Sequence, residues 1–94
     1  MNEEEENDID TLELMAKDGH AVFAMIQTNG WCNVVRPALI SRKESLVREI
    51  LNVSVLVDFI KIQQAINAID GLIDFIEMKL TDGKSAIEEL GNKQ

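Results

Sequence analysis

FIKIQQAINAIDGLIDFIEMKL, residues 59–80, is the stretch on which the fold class turns. Phe59, Ile62, Ile66, Ile69, Ile73, Ile76 and Leu80 recur at alternating steps of three and four, the heptad spacing of a helix with one apolar seam. A strand needs strict alternation, and this run has none. Ala65, Ala68, Leu72 and Phe75 add a second apolar edge, and Lys61, Gln64, Asn67, Asp70, Asp74 and Glu77 include the polar positions. The spacing therefore predicts a helix over 55–81 that buries more than one side, for which a single partner helix is not enough.

Upstream, Val53, Val55 and Val57 are β-branched and disfavour helix around Asn52-Val53-Ser54, so a turn is expected there, with Ser54 or Asp58 capping the helix over 55–81. Before it a helix is expected over 33–52. Val35, Leu39, Leu46, Ile50 and Val53 give it a seam, and Pro37 sits in its first turn or at a kink, because proline deeper in a helix costs about 3 kcal/mol. One continuous helix over 34–80 is the alternative, since Leu46, Ile50, Val53, Val57 and Ile60 carry a seam straight through. Another helix is expected over 8–28, with Ile9, Leu12, Met15, Ala16, Val22, Phe23 and Ile26 on one stripe and Gly19 weakening its middle. Thr28-Asn29-Gly30 should close it through a left-handed residue and start its successor. Thr81-Asp82-Gly83 reads as a stop, Ser85-Ala86-Ile87-Glu88 as a capping box for a short helix over 86–90, and Gly91 as its end, with 91–94 a frayed tail.

The expected fold is thus all-α: an antiparallel, coiled-coil-like helical hairpin with an additional N-terminal helix and a short C-terminal one. With 94 residues and 46% apolar composition, the chain is read as a single domain over 8–90. A lone domain of this size is marginal, which favours a partner, often a second copy. The net charge of −8 is concentrated at the start. Glu3, Glu4, Glu5, Glu6, Asp8, Asp10 and Glu13 precede the first base, Lys17, and the remaining ten acids and nine bases nearly balance. Residues 1–7 read as a disordered acidic arm. A mimic of nucleic acid needs acids spread over a rigid surface, so that class is not favoured. The single Cys32, with no secretion signal in view, makes a reducing cytoplasm the expected compartment, and no run of about 18 apolar residues marks a membrane span.

Chemistry-bearing patterns resolve into ordinary ones. Gly83-Lys84-Ser85 lacks the earlier glycine of a phosphate loop, since position 78 is Met. His20 has no second ligand at metal-binding spacing. Cys32, beside Trp31, Val34 and Val35, is expected to pack rather than react. Asp70 and Asp74 share a helix face without a cleft to desolvate either of them. The triplet Asn52-Val53-Ser54 fits a glycosylation acceptor only in a secreted chain. No catalytic, metal or cofactor residue is expected, and no cofactor. Five residues remain as candidate interaction residues: Trp31 as an aromatic anchor of core or interface, Leu72 and Phe75 on the surplus apolar edge, and Arg42 and Lys43. The last two belong to the mildly basic stretch with Arg36 and Arg48, which could receive the acidic arm of a neighbouring copy. Four bases without interleaved aromatics do not predict direct nucleic-acid binding.

Trp31 opening a helix, then Leu39, Arg42, Leu46 and Leu51, then Asp58-Phe59, Ile62-Gln63, Ile66, Ile69 and Leu72-Ile73, together resemble small helical-hairpin proteins encoded among the head and neck genes of tailed bacteriophages. The resemblance covers residues 31–77. Gln64 stands where such relatives carry a small residue, and the acidic arm and first helix fall outside the pattern. What the resemblance implies is a virion structural or assembly protein without catalysis; with the surplus apolar faces, the expectation is a homo-oligomer or part of a larger virion assembly, located in the cytoplasm of a host cell or in a particle. The alternative from a different class is a small acidic regulator or inhibitor, for instance a phage anti-defence protein, binding a basic host protein through its arm.

Overall fold

The computed structural model describes residues 3–93. Among them the protein is all-helical, with three helices: α1 (Glu3–Ile26), α2 (Arg36–Ile50) and α3 (Leu56–Lys93). A π-helical turn, Trp31–Val35, leads directly into α2.

Three expectations are corrected. The backbone is helical from Glu3, so residues 3–7 extend the first helix instead of forming a disordered arm. Glutamate has high helix propensity, and negative charge near a helix N-terminus is favoured by the dipole. The remainder of the expected arm, Met1 and Asn2, lies outside the described residues. Secondly, the helices expected over 55–81 and 86–90 are one helix that runs on to Lys93. The stops at Gly83 and Gly91 are not made, and no described residue has positive φ. Thirdly, Gly30 is right-handed, at φ −59° and ψ −46°, so the break at Thr28 needs no left-handed residue.

Thr28 makes that break by capping. Its Oγ1 accepts the Trp31 N–H at 3.2 Å and its carbonyl accepts the Cys32 N–H at 3.0 Å, as expected of the first residue of a new helix. Pro37 explains the π turn before it. Its ring would press on the carbonyl four residues back and it has no N–H to offer; the chain widens just ahead of it, with the Arg36 N–H reaching five residues back to Trp31 O. The chain leaves α2 at Leu51, where the Asn52 N–H bonds Glu49 O at 3.0 Å and Asn52 Nδ2 bonds Arg48 O at 3.3 Å. Residues 51–55 are non-helical. The continuous helix over 34–80 is therefore not formed, and the β-branched cluster marks the place.

By contacts the chain falls into two compact units, and α3 contributes to both: unit 1 holds Met1–Gln27 and Phe75–Gln94, and unit 2 holds Thr28–Asp74. In unit 2, Leu46 of α2 and Ile66 of α3 are buried, Ile62, Ile69 and Ile73 are half-buried, and Lys43 Nζ reaches Asp70 Oδ1 at 2.6 Å. The heptad seam faces inward here except at Phe59, which is exposed.

In unit 1 the contact is of another kind. Gly19 of α1 and Gly83 of α3 stand backbone to backbone. A Cβ built on Gly19 would lie 2.7 Å from Gly83 Cα and 2.9 Å from Lys79 O. One on Gly83 would lie 2.7 Å from Gly19 Cα and 3.2 Å from Met15 O. Only glycine permits this approach. Ile76 and Ala86 are buried, and Lys79 Nζ ties the helices further by reaching Asp18 Oδ2 at 3.5 Å. Gly83 therefore lies mid-helix as a packing position, and Gly83-Lys84-Ser85 is neither a phosphate loop nor a helix stop. Phe23, expected on the inner stripe, is exposed.

Candidate interaction surface

The five candidate residues do not converge on one site. Trp31 is half-buried within the π turn. Arg42 is exposed, and its neighbour Lys43 is half-buried and engaged with Asp70. Adjacent residues on a helix point about 100° apart, which is how one base stays open while the next is bound. Leu72 in unit 2 and Phe75 in unit 1 both belong to the surplus edge of α3, and both are open, at 43% and 50% exposure. The Lys79 ammonium lies over the Phe75 ring, 5.5 Å from its centroid, close enough for cation–π attraction.

Two grooves were not foreseen. In unit 1 the close approach at Gly19 and Gly83 leaves a concavity of about 610 Å³ walled by Phe23, Ile26, Leu80 and Ile87, with His20, Lys84 and Glu88 among its lining. In unit 2 a groove of about 540 Å³ lies between Ile40 and Val47 of α2 and Ile73 of α3, edged by Lys43, Glu44 and Arg48. The sequence held a signal for both. Leu80, Gly83, Ile87 and Leu90 prolong the three-and-four spacing of the heptad seam beyond residue 80, and Arg36, Ile40, Lys43 and Val47 follow steps of four, three and four along one stripe of α2.

Cys32, expected to pack, is exposed, and so are Val34 and Val35. Asp70 and Asp74 have separate fates: Asp70 binds Lys43, and Asp74 is exposed. Among the described residues no three His, Cys, Asp or Glu side chains are grouped so as to hold a metal ion, and no helix is long and apolar enough to cross a membrane. What the arrangement offers is exposed apolar surface. Unit 2 has two buried large apolar side chains, Leu46 and Ile66, against eleven exposed ones, among them Val47, Leu51, Leu56, Ile60 and Leu72. No protein-family model matches the chain, and neither the curated proteins nor the solved structures hold a significant match to it.

Proposed function

We propose that this chain is a non-enzymatic assembly protein that works by helix packing, associating with copies of itself and, in the form the resemblance over residues 31–77 suggests, taking part in the structure or assembly of a phage virion. In this reading α2 and the first part of α3 act as an antiparallel hairpin whose inner seam is satisfied within the chain and whose flanks are offered to partners. The observation that carries it is the apolar load left open on unit 2. Single exposed apolar residues are ordinary, but here Val55, Leu56, Val57, Phe59 and Ile60 are all exposed within one short stretch, and grouped exposed apolar residues mark an interaction surface. A two-helix unit covers one side of each helix, and a four-helix arrangement covers the rest. The Ala65, Ala68 and Leu72 edge of α3 is then available to a larger structure.

The test has two arms. Sedimentation equilibrium of the full chain at micromolar concentration should give species heavier than the 10.5 kDa protomer. Purified particles from an infected host should contain the chain in fixed copy number. A protomer that stays at 10.5 kDa and is absent from particles would end this reading, and capture of the chain with one basic host protein would favour the acidic regulator in its place.

A further inference from the structure

We propose that the unit-2 face bearing Ile40 and Val47 is where a second copy of this chain docks, and that it docks with α2 of each copy lying over the first part of α3 of the other. This deepens the self-association reading and rests on it.

The face is apolar at its centre and charged at its edges. Ile40 and Val47 are exposed on the stripe that also carries Arg36 and Lys43, and they border the groove closed by Ile73. Asp70 and Asp74, one turn apart on α3, belong to the same side, because Asp70 meets Lys43 there. On the α2 half of the face the bases Arg36, Lys43 and Arg48 outnumber the one acid, Glu44, and the α3 half carries the acids Asp70 and Asp74. The same division holds along whole elements: α2 has four bases and two acids, and α3 from Leu56 to Asp74 has three acids and one base.

This polarity selects the occupant and its orientation. Two identical helix pairs laid face to face about a two-fold axis can set like helices on like, or α2 of one over α3 of the other. Like on like would bring the Arg36 and Lys43 stripes together, and juxtaposed like charges disfavour association strongly. The crossed arrangement brings a basic helix onto an acidic one twice, by symmetry. Unit 2 has five acids and five bases in all, so a second unit 2 meets no net repulsion. Lys43 and Asp70 already satisfy each other within the chain. Among the described residues Arg36, Glu44, Arg48 and Asp74 form no ion pair; Glu44 and Arg48 lie one turn apart on α2 at the groove's edge, and Arg36 and Asp74 are the two that meet across the axis, with Ile40 and Val47 excluding water between the two contacts.

The experiment is a charge swap in the full chain. Arg36→Glu alone and Asp74→Arg alone should each raise the dimer dissociation constant about tenfold or more, because each replaces two attractions by two repulsions. An equimolar mixture of the two variants should recover the wild-type constant to within a few fold, as a heterodimer that native mass spectrometry identifies by mass. Rescue between separate chains cannot come from a contact within one chain. Val47→Lys gives an independent route, since it should break the dimer without touching either charge. Variants that dimerise like wild type, or a mixture no tighter than its components, would overturn the assignment while leaving self-association standing. A wild-type chain that never dimerises would overturn both.

Discussion

In unit 1, α1 and α3 approach until a methyl group on Gly19 or Gly83 would stand 2.7 Å from the other residue's Cα; in unit 2, the buried apolar side chains are Leu46 of α2 and Ile66 of α3, 2% and 8% exposed. The first contact owes its geometry to the absence of side chains at Gly19 and Gly83. The second owes its stability to side chains and leaves the flanks of both helices open. The difference predicts how each region responds to change. Unit 1 should tolerate no addition at its crossing, and unit 2 should tolerate no deletion in its seam.

The largest effect is expected in the seam. Leu46→Ala should destabilise the protein by about 2–5 kcal/mol, the range for a buried leucine truncated in a packed contact, read as a lowered denaturation midpoint in urea. Ile66→Ala belongs to the same range, and Ile69→Ala should cost less, since Ile69 is only half-buried. An Ile69→Ala effect larger than that of Leu46→Ala would place the centre of the contact elsewhere. At the crossing, Gly19→Ala sets overpacking of about 1–3 kcal/mol against about 1 kcal/mol of helix propensity gained. The obstructing atoms are backbone, Gly83 Cα and Lys79 O, and cannot swing aside as a side chain would. A net loss in thermal midpoint is expected, and a gain would mean that the helices separate there at no cost. The smallest effect belongs to Asp70→Asn. Lys43 and Asp70 pair at 2.6 Å but are 40% and 41% exposed in their side chains, so removal should cost less than about 1 kcal/mol and nothing measurable in high salt. A larger, salt-insensitive loss would show the pair to be shielded from water.

Much of unit 2 was legible because large aliphatic residues announce themselves by spacing. Ile62, Ile66, Ile69 and Ile73 mark one inner face wherever the partner comes from, and the valines at 53, 55 and 57 mark the turn. Unit 1 was misread for the complementary reason. Glycine has low helix propensity, so Gly83 after Thr81 and Asp82 reads as an end; yet a helix accepts a glycine where tertiary contact needs the space, and tertiary context overrides propensity of about 1 kcal/mol. The heptad register through Leu80, Gly83, Ile87 and Leu90 was present, but a glycine at a seam position looks like an interruption until its neighbour across the contact is known. That neighbour is Gly19, 64 residues away. The acidic start was misread by weighing the repulsion of like charges above the helix propensity of glutamate. Of the candidate interaction residues, Leu72 and Phe75 are exposed, whereas the Ile40 and Val47 face depends on which flank of α2 is left uncovered, and periodicity alone does not say which.

The contrast between a crossing made of glycines and a seam made of aliphatics is tested most directly by thermal unfolding of two matched variants, Gly71→Ala and Gly83→Ala. Both residues lie inside α3, so both variants gain the same intrinsic helix propensity of about 1 kcal/mol. A Cβ at Gly71 would meet nothing within 4 Å, and one at Gly83 would meet the backbone of α1 at 2.7 Å. The predicted result is opposite signs: Gly71→Ala melts above wild type and Gly83→Ala below it. A Gly83→Ala protein that melts as high as Gly71→Ala would contradict the crossing, and with it the reason α3 runs unbroken through residue 83.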